Sequence, residues 1–537
     1  MNKMFLTAVA GVVTITAAGQ NNAEKPNFIV ILLDDMGFAD FGCYGGCVPT
    51  PNIDRLAQQG VRMNQMYNCA RSCPTRASLL TGLYPHQAGM GYMTDDWSKS
   101  VSSSYQGYLN TSCVTIAEVM NEAGYFTAMA GKWHVGQQKR VTPKLRGFQH
   151  SIHQAGGVTF FSNPGARIEI DGVRATPGDG RLPKEWYATD LWTEWAVKYI
   201  DQAQQEQKPF MLYLAHTASH FPLQAPEKEI AAFKGQFDRG WDEIRQEVYR
   251  RQMEMGILGG NYPLSTSCPL IPTWKDVDAE QKVQSVHTME IYAAMIKKVD
   301  DNVGRLVDNL KQRGLFDNTV IMLLSDNGGN AEGKTVYGTY EGANPGSVDS
   351  NVFLGQAWAE VSNTPFFFYK HHSHEGGITT GCVVTWPKGI PLSQSGKMVY
   401  QPGHVMDIMA TMVDICGAKY PKTYKGSDII PMQGISLLPI WRGEAPVRTD
   451  PIFWEHEENV ALRDGKWKLV KESRDRHWQL YDMEADRTEM NDLSKKEADV
   501  MANMMEKCEM MYKKVGAAKN YFNKKFRWII PIEDYEM

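Results

Sequence analysis

Residues 27–35 read Asn27-Phe-Ile-Val-Ile-Leu-Leu-Asp-Asp35, an apolar run that ends in two carboxylates. An apolar run without polar alternation is typical of a strand that is buried on both faces of a parallel sheet. Similar runs recur at residues 126–130, 210–215 and 319–324, and helical patterns lie at residues 115–122, 191–204 and 281–313. This alternation predicts an α/β fold with a large, mostly parallel or mixed sheet flanked by helices.

Polar side chains follow each of the four predicted strands. In chain order they are Asp34 and Asp35, Lys132 and His134, His216 and His220, and Asp326 and Asn327. Ligands of open α/β sheets bind outside the carboxyl ends of the strands, so these positions predict one shared site. His216 is interpreted as a packing or supporting residue.

Two of these strand ends offer only hard oxygen ligands. Asp34 with Asp35, and Asp326 with Asn327, suit Ca²⁺ or Mg²⁺, whereas Zn²⁺ would require more His. A single Asp pair at a strand end is usually a solvated turn or a helix cap. Two such pairs together favour a metal.

A further signal is the segment Ser72-Cys73-Pro74-Thr75-Arg76, which precedes apolar residues that can start a helix. The backbone N–H groups at such a helix start attract an anion near Ser72. Ser72 is also explained as an ordinary N-cap serine, and the same geometry serves both interpretations.

The composition is that of an ordinary soluble globular protein. The chain has 537 residues and a net charge of −5, which gives no reason to expect a nucleic-acid partner. An anionic substrate would have to be attracted by a local cluster of cations. The nine cysteines are an odd number, and we interpret them as buried thiols or a chance disulfide rather than a metal site.

The first residues predict export. Lys3 precedes an apolar segment at residues 4–18, and Ala17-Ala18-Gly19 offers a cleavage site, so residues 1–19 are predicted to be a signal peptide. A buried N-terminal segment is the alternative. No run is long enough to span a membrane, and we expect a periplasmic or secreted protein.

The pattern of strand-like and helical segments changes near residue 451, which predicts a second domain. Short strand-like pieces lie at residues 452–454, 467–470 and 478–481, and a helical pattern follows at 495–515. We therefore predict a site-bearing domain at residues 20–445 and a smaller domain, an antiparallel sheet plus a helix, at 446–537. The Gly-rich region 330–362 lacks periodicity and is predicted to be a functional loop.

Several motifs resemble those of the type I sulfatases, in particular the bacterial arylsulfatase group of the alkaline-phosphatase superfamily. The matching motifs are Ser72-x-Pro74-x-Arg76, Gly131-Lys132-Trp133-His134-Val135-Gly136, residues 218–226, and Lys370 shortly before Glu375-Gly376-Gly377. The resemblance extends from residue 27 to residue 377. It implies a sulfuric ester hydrolase with the fold of that superfamily.

The resemblance also implies a modified residue and a metal. In that family the residue at the position of Ser72 is oxidised to formylglycine, whose hydrated aldehyde attacks sulfur and re-forms as sulfate leaves. A Ser at this position implies a radical-type maturation enzyme of anaerobic bacteria. One divalent cation, Ca²⁺ rather than Mg²⁺, would be held by Asp34, Asp35, Asp326, Asn327 and the modified Ser72.

The remaining roles are implied by the same resemblance. Arg76 and Lys132 would stabilise the charge of the formylglycine and the sulfate, and His134 would hydrogen-bond the hydrated aldehyde. Asp326 would be the base for the nucleophile as well as a metal ligand. His220 and Lys370 would contact and protonate the leaving oxygen.

The sequence departs from the family pattern beside these motifs. Residues 379–381 read Thr-Thr-Gly where the family often has Arg-Val-Pro, and residues 371–374 read His-His-Ser-His. The histidine run either lines the substrate pocket or is a solvated loop. A polar loop either grips a sugar or is ordinary surface; its residues are Tyr92, Asp95, Asp96 and Trp97.

Sulfated carbohydrate, such as a galactose or hexosamine of a host glycan, is the expected substrate class, with small aryl sulfates as a second class. The rival enzyme is a phosphonate or phosphodiester hydrolase of the same superfamily. The rival from another class is a glycan-binding protein without activity, in which Ser72 stays unmodified.

Overall fold

The computed structural model describes residues 25–519 except 95–101, 137–140, 156, 164, 177, 179, 446–447 and 474–476. The predicted signal peptide and the predicted sugar-gripping residues Asp95, Asp96 and Trp97 lie outside the described residues. In the part that is described, no helix has both the length and the apolar composition required to cross a membrane. The nine cysteines are free thiols and seven of them are buried, so the disulfide alternative is wrong.

The strands and helices alternate along most of the chain. The strands are β1 (Asn27–Leu33), β2 (Val61–Tyr67), β3 (Phe126–Lys132), β4 (His150–Gln154), β5 (Ile168–Ile170), β6 (Val173–Arg174), β7 (Phe210–Ala215), β8 (Thr319–Ser325), β9 (Thr339–Glu341), β10 (Asn351–Phe353), β11 (Thr379–Thr385), β12 (Lys397–Val399), β13 (Gly403–His404), β14 (Thr423–Tyr424), β15 (Ser427–Asp428), β16 (Ile452–His456), β17 (Asn459–Asp464), β18 (Trp467–Lys471) and β19 (Gln479–Asp482). The α-helices are α1 (Pro51–Gln59), α2 (Ser72–Thr81), α3 (Ile116–Glu122), α4 (Ala188–Gln205), α5 (Glu227–Ala231), α6 (Gly240–Glu254), α7 (Ala279–Gln312), α8 (Gly355–Ser362), α9 (Glu375–Ile378), α10 (Asp407–Cys416), α11 (Leu438–Trp441) and α12 (Ala498–Val515).

Among the described residues, eleven strands join in one mixed sheet in the order β12-β2-β11-β8-β1-β7-β3-β4-β5-β6, and β13 pairs with β2. The neighbours β8, β1, β7, β3 and β4 run parallel to one another. In contrast, β11 is antiparallel to both β2 and β8. The predicted large α/β sheet is confirmed.

Strand β1 lies at the centre of this sheet and is buried on both faces. Ile29 and Ile31 pack into one hydrophobic core with α1, α4 and α7, whereas Phe28 and Val30 pack into the other with α2, α3 and α10. Helices cover both faces, so the strand positions after Asn27 are apolar. This is why its sequence is an unbroken apolar run.

A separate four-stranded antiparallel sheet, β16-β17-β18-β19, packs with α12 into a smaller C-terminal domain. Leu462 and Leu469 of the sheet share a core with Met504 and Cys508 of the helix. The sequence predicted this architecture but missed β17. The boundary between residues 445 and 446 stays a prediction.

The parallel strands bring their carboxyl ends to one edge of the large sheet. Leu32 of β1 lies beside Ala215 of β7 and beside Leu324 of β8, and Gly131 of β3 also lies beside Ala215. The segments that leave these four strands therefore start next to one another.

Candidate active site

The hydroxyl of Ser72 lies at this edge of the sheet, at the first residue of α2. All ten residues of α2 are buried. Ser72 Oγ lies 3.0 Å from Asp34 Oδ1 and 3.1 Å from Lys132 Nζ. It also donates a hydrogen bond to Asp326. The hydroxyl is thus surrounded by two carboxylates that can accept its proton and one cation.

Two cations compensate these carboxylates. Arg76, one turn into α2, donates to Asp326 Oδ2 from Nε at 3.0 Å and from Nη2 at 2.6 Å. Lys132, the last residue of β3, donates to the two oxygens of Asp34 at 2.9 and 2.7 Å. Burial and the neighbouring Asp34 charge raise the pKa of Asp326 despite the Arg76 guanidinium. Asp326 is therefore a stronger base than an ordinary exposed carboxylate.

Asp35 forms the other half of the carboxylate cluster. Lys370 Nζ lies 2.9 Å from each of its oxygens. The side-chain amides of Asn327 and Asn330 donate to Oδ1 and Oδ2 at 2.8 and 2.7 Å. Burial would raise the pKa of Asp35, but the Lys370 ammonium and neighbouring cations outweigh it and hold the pKa below its usual range. Asp35 is ionised as a result.

The rings of His134 and His220 lie at the wall of a cavity of about 850 Å³ that also reaches Lys132. His220 Nε2 lies 3.7 Å from Asp35 Oδ2, and its Nδ1 donates to the carbonyl oxygen of Phe221 at 2.6 Å. Burial lowers the pKa of His220 to about 4 despite the Asp35 charge. Burial and the Lys132 charge also lower the pKa of His134 well below its usual range. Both rings are therefore neutral near pH 7.

The carboxylate cluster has the donor set of a site for a hard divalent cation. Single oxygens of Asp34 and Asp35 and a ring nitrogen of His220 lie within 4.8 Å of one another. Within the described part of the chain, Asn327 Oδ1 is buried and has no hydrogen-bond partner. A buried acceptor without a partner is costly, and Ca²⁺ or Mg²⁺ takes such an oxygen as a ligand. The residues present thus fit a Ca²⁺ or Mg²⁺ ion.

The sequence did not single out three residues that join this cluster: Asn330, Glu332 and Arg71. Glu332 Oε1 lies 3.0 Å from an Arg71 nitrogen and 3.7 Å from Lys370 Nζ. Asn330 and Glu332 lie in the Gly-rich region 330–362, which was predicted to be functional as a whole. That region has no periodicity, so no local signal distinguishes its individual residues.

The histidine run after Lys370 is buried, and its interpretation as a solvated loop is wrong. His371 Nε2 lies 2.9 Å from Glu332 Oε1. His372 and His374 instead contact Glu472 of the C-terminal domain. Residues 379–381, where the family pattern is not followed, are the buried start of β11.

His216 is buried, and neither of its ring nitrogens has a hydrogen-bond partner within the described residues. Burial lowers the pKa of His216 to about 3, so the ring is neutral. This environment agrees with the packing role expected for this residue.

Comparisons with known proteins agree with the geometry. The profile of the sulfatase family matches residues 26–418, and the profile described as N-sulphoglucosamine sulphohydrolase, C-terminal, matches residues 365–514. An arylsulfatase of Klebsiella aerogenes is 35% identical over 465 residues, which cover 82% of this chain and 97% of the relative. An uncharacterized sulfatase of Schizosaccharomyces pombe is 32% identical over 525 residues, which cover 91% of this chain and 93% of the relative.

A solved structure also matches nearly the whole chain. The crystal structure of Ps i-CgsB in complex with k-i-k-neocarrahexaose has a TM-score of 0.66 and 26% sequence identity. The alignment covers 95% of this chain and 96% of that one. Both domains of the present fold are therefore shared with that protein.

Proposed function

The chain belongs to the sulfatase family and is a sulfuric ester hydrolase, and from this premise we propose that it cleaves the S–O bond of sulfated carbohydrates, with aryl sulfates as further substrates. The observation that carries the proposal is the convergence on Ser72. Two carboxylates and one ammonium lie within hydrogen-bond distance of its hydroxyl, at the start of a buried helix. The N-cap of this helix is Arg71 and Ser72 is the first helical residue, so the interpretation of Ser72 as an N-cap serine is wrong.

We propose that Ser72 is converted to formylglycine by a radical-type maturation enzyme. A plain serine is a poor nucleophile here, because its attack would leave a serine sulfate that needs a second difficult displacement at sulfur. The hydrated aldehyde supplies one hydroxyl for attack and a second whose deprotonation releases sulfate. Asp326, which accepts a hydrogen bond from Ser72 and has a raised pKa, would hold the proton of the attacking hydroxyl.

The metal proposed for the site is Ca²⁺, with Mg²⁺ as the less favoured ion. Its ligands would be Asp34, Asp35, Asp326, Asn327 and the modified residue at position 72. A divalent cation supplies positive charge that orients a sulfate oxygen and stabilises the charge that develops on it. The unpartnered oxygen of Asn327 supports this assignment.

Lysine and arginine side chains would stabilise the negative charge that develops on the attacking oxygen and on the leaving oxygen. Arg76 and Lys132 lie at the nucleophile, where their guanidinium and ammonium groups face the oxygens that become negative. Lys370 lies beyond Asp35, on the side assigned to the leaving oxygen, together with the neutral ring of His220. The proton of His220 is on Nδ1, which donates it to the Phe221 carbonyl, so Nε2 faces Asp35 and the cavity without a proton. Of the two residues expected to protonate the leaving oxygen, Lys370 is therefore the one with a proton to give. His134 would hold the hydrated aldehyde through a ring nitrogen.

The cavity beside His220 supports a polar leaving group. Its wall carries polar side chains that can hydrogen-bond hydroxyl groups, beside apolar ones that can pack on a sugar ring. The polar residues are Gln154, Glu169, Asp171 and Arg174, and the apolar residues include Leu145, Val158 and Phe221. The oligosaccharide bound to the 26% identical Ps i-CgsB favours the same substrate class. Export to the periplasm or the medium, predicted from residues 1–19, would bring the enzyme to such substrates.

The experiment that tests the proposal combines mass spectrometry with kinetics. Peptide mass spectrometry on protein from a host with the maturation enzyme is expected to show the loss of two hydrogens at Ser72. The same protein is expected to hydrolyse sulfated sugars and para-nitrophenyl sulfate, and Ser72→Ala to be inactive. A faster rate on an aryl phosphodiester would favour the phosphodiesterase alternative, and unmodified, inactive protein from that host would favour the glycan-binding alternative.

A further inference from the structure

The loop that follows Lys370 is anchored on the C-terminal domain by one carboxylate. Glu472, which follows β18 directly, accepts hydrogen bonds from His372 Nδ1 at 2.8 Å and from His374 Nδ1 at 3.0 Å. The backbone N–H of Ser373 donates to the same carboxylate at 3.3 Å. Three consecutive residues of the loop therefore converge on Glu472, which is largely buried.

His374 is held from both sides of its ring. Its Nε2 lies 3.1 Å from Gln479 Oε1 of β19, while its Nδ1 faces Glu472. Burial lowers the pKa of His374, but the carboxylates of Glu489 and Glu472 outweigh it and raise the pKa. A buried hydrogen bond between a histidine and a carboxylate therefore joins the two domains.

Further contacts tie the same loop to the C-terminal domain. Asn459 Nδ2 donates to the carbonyl oxygen of His371 at 3.1 Å, and the N–H of Glu375 donates to Glu489 at 2.7 Å. His371 itself has a φ of 83°, a left-handed conformation that is costly for a residue other than Gly. Such a conformation persists only where the surroundings determine it. The loop that carries Lys370 therefore depends on contacts from outside its own domain.

We infer that Glu472 is a positioning residue for Lys370, through which the C-terminal domain sets the place of the Lys370 ammonium at the leaving oxygen. The inference rests on the role proposed for Lys370. Displacing a catalytic group by about 1 Å costs on the order of 100-fold in rate. Because the contact with the leaving oxygen strengthens in the transition state, the loss falls on kcat rather than on KM.

The test is a double-mutant cycle of Glu472→Gln and Lys370→Ala in matured, full-length protein with para-nitrophenyl sulfate. In the wild-type background, Glu472→Gln is expected to lower kcat about 10- to 100-fold with little change in KM. In the Lys370→Ala background it is expected to lower kcat less than about 3-fold, because the group that it positions is gone. A purely structural role of Glu472 would give equal losses in both backgrounds and would overturn the inference.

Asp464→Asn is the matched control, because Asp464 is a carboxylate of the same sheet that pairs with Lys507 of α12 instead of the loop. It is expected to leave kcat unchanged. If Glu472→Gln is unfolded at the assay temperature, Glu472→Asp replaces it, since the shorter side chain keeps the charge but cannot reach both histidines. Full activity of Lys370→Ala alone would instead contradict the function proposed for Lys370, so the two failures are distinguishable.

Discussion

The Lys370 ammonium lies 2.9 Å from each carboxylate oxygen of Asp35. It thereby occupies one side of a carboxylate that also belongs to the proposed metal ligands. The cluster contains as many cations as carboxylates: four cations, Arg71, Arg76, Lys132 and Lys370, and four carboxylates, Asp34, Asp35, Asp326 and Glu332. A divalent cation would add two positive charges to this balance, which exceed the single negative charge of a sulfate ester. A chain with a net charge of −5 can therefore accept an anionic group at this position.

We predict that Lys370→Ala has opposite effects on catalysis and on metal binding. The loss of a cation at the leaving oxygen is expected to lower kcat/KM by about 100-fold or more. Ca²⁺ is expected to bind more tightly, because the positive charge of Lys370, about 3 Å from the proposed ligand Asp35, no longer repels the cation. Calorimetric titration with Ca²⁺ measures the second effect. Lys334→Ala, which removes an exposed lysine paired with Glu341, is the control, and weaker Ca²⁺ binding by Lys370→Ala would contradict the electrostatic argument.

The oxygen of Asn327 gives a second prediction. Asn327→Leu has a similar volume but lacks the amide oxygen, so we expect Ca²⁺ affinity to fall by at least about 10-fold and the Ca²⁺-dependent rise in melting temperature to shrink. Asn351→Leu, at an exposed position of β10, is the control. Chelation of the wild type is expected to abolish activity, and Ca²⁺ to restore it better than Mg²⁺. Full activity after exhaustive chelation would rule out the metal site.

The part of the site that the sequence predicts is the part that local signals encode. An apolar strand followed by a polar pair is visible within ten residues, as at Asp34 and at Asp326. Parallel packing of such strands then brings their ends together without further information. The four predicted strand ends are for this reason adjacent in the structure.

The rest of the site depends on contacts between distant segments. Glu472 follows His372 by 100 residues, and nothing near Glu472 in the sequence points to a catalytic loop. The direction of β11 is also not local, because an apolar strand has the same composition whether it runs parallel or antiparallel to its neighbours. For Asn330 and Glu332, the Gly-rich sequence indicated only a loop.

A pH dependence of stability is predicted from Asp40, which is buried. Its carboxylate accepts hydrogen bonds from the N–H of Gly37 at 2.7 Å and from the hydroxyls of Tyr292 at 2.6 Å and Ser362 at 2.5 Å. Burial raises the pKa of Asp40 to about 7 despite these bonds. The folded protein therefore binds this proton more tightly than the unfolded chain. The proton bound to Asp40 contributes at most about 4 kcal/mol to the free energy of unfolding. This contribution is present in full below about pH 4 and is lost as the pH rises to about 7.

Asp40→Asn keeps an acceptor oxygen for these three donors and cannot ionise. We expect the free energy of unfolding of the mutant to lack this pH dependence. The difference between mutant and wild type is therefore expected to shift in favour of the mutant as the pH rises from about 4 to about 7. Urea denaturation of both proteins across this range measures the difference, in which all other titrations cancel. Parallel curves for the two proteins would show that Asp40 has an ordinary pKa in the folded state.

The buried contact between the domains gives the last prediction. Lys468 Nζ of β18 lies 2.8 Å from a carboxylate oxygen of Glu375 and 2.8 Å from one of Glu489, and all three side chains are inaccessible to solvent or nearly so. Lys468→Met would leave two buried carboxylates without their shared cation, and we expect a loss of about 3–5 kcal/mol in the free energy of unfolding. Burial would raise the pKa of Glu375, but Lys468, Arg487 and Arg463 together outweigh it and lower the pKa to about 2. The loss is therefore expected to be largest above the pH at which Glu375 ionises in the unfolded chain, about pH 4.

Neutralising Glu489 separates the charge effect from the loss of packing. The combination of Lys468→Met with Glu489→Gln is expected to recover most of the lost stability, because the carboxylate that remains, Glu375, still pairs with the buried Arg487 at 3.2 Å. Lys466→Met is the matched control, since Lys466 is an exposed lysine that pairs with Asp482, and we expect it to change the free energy of unfolding by less than about 1 kcal/mol. Urea denaturation of the wild type and the three variants measures these free energies of unfolding. If the double variant is no more stable than Lys468→Met, packing of the lysine stem rather than its charge holds the two domains together here.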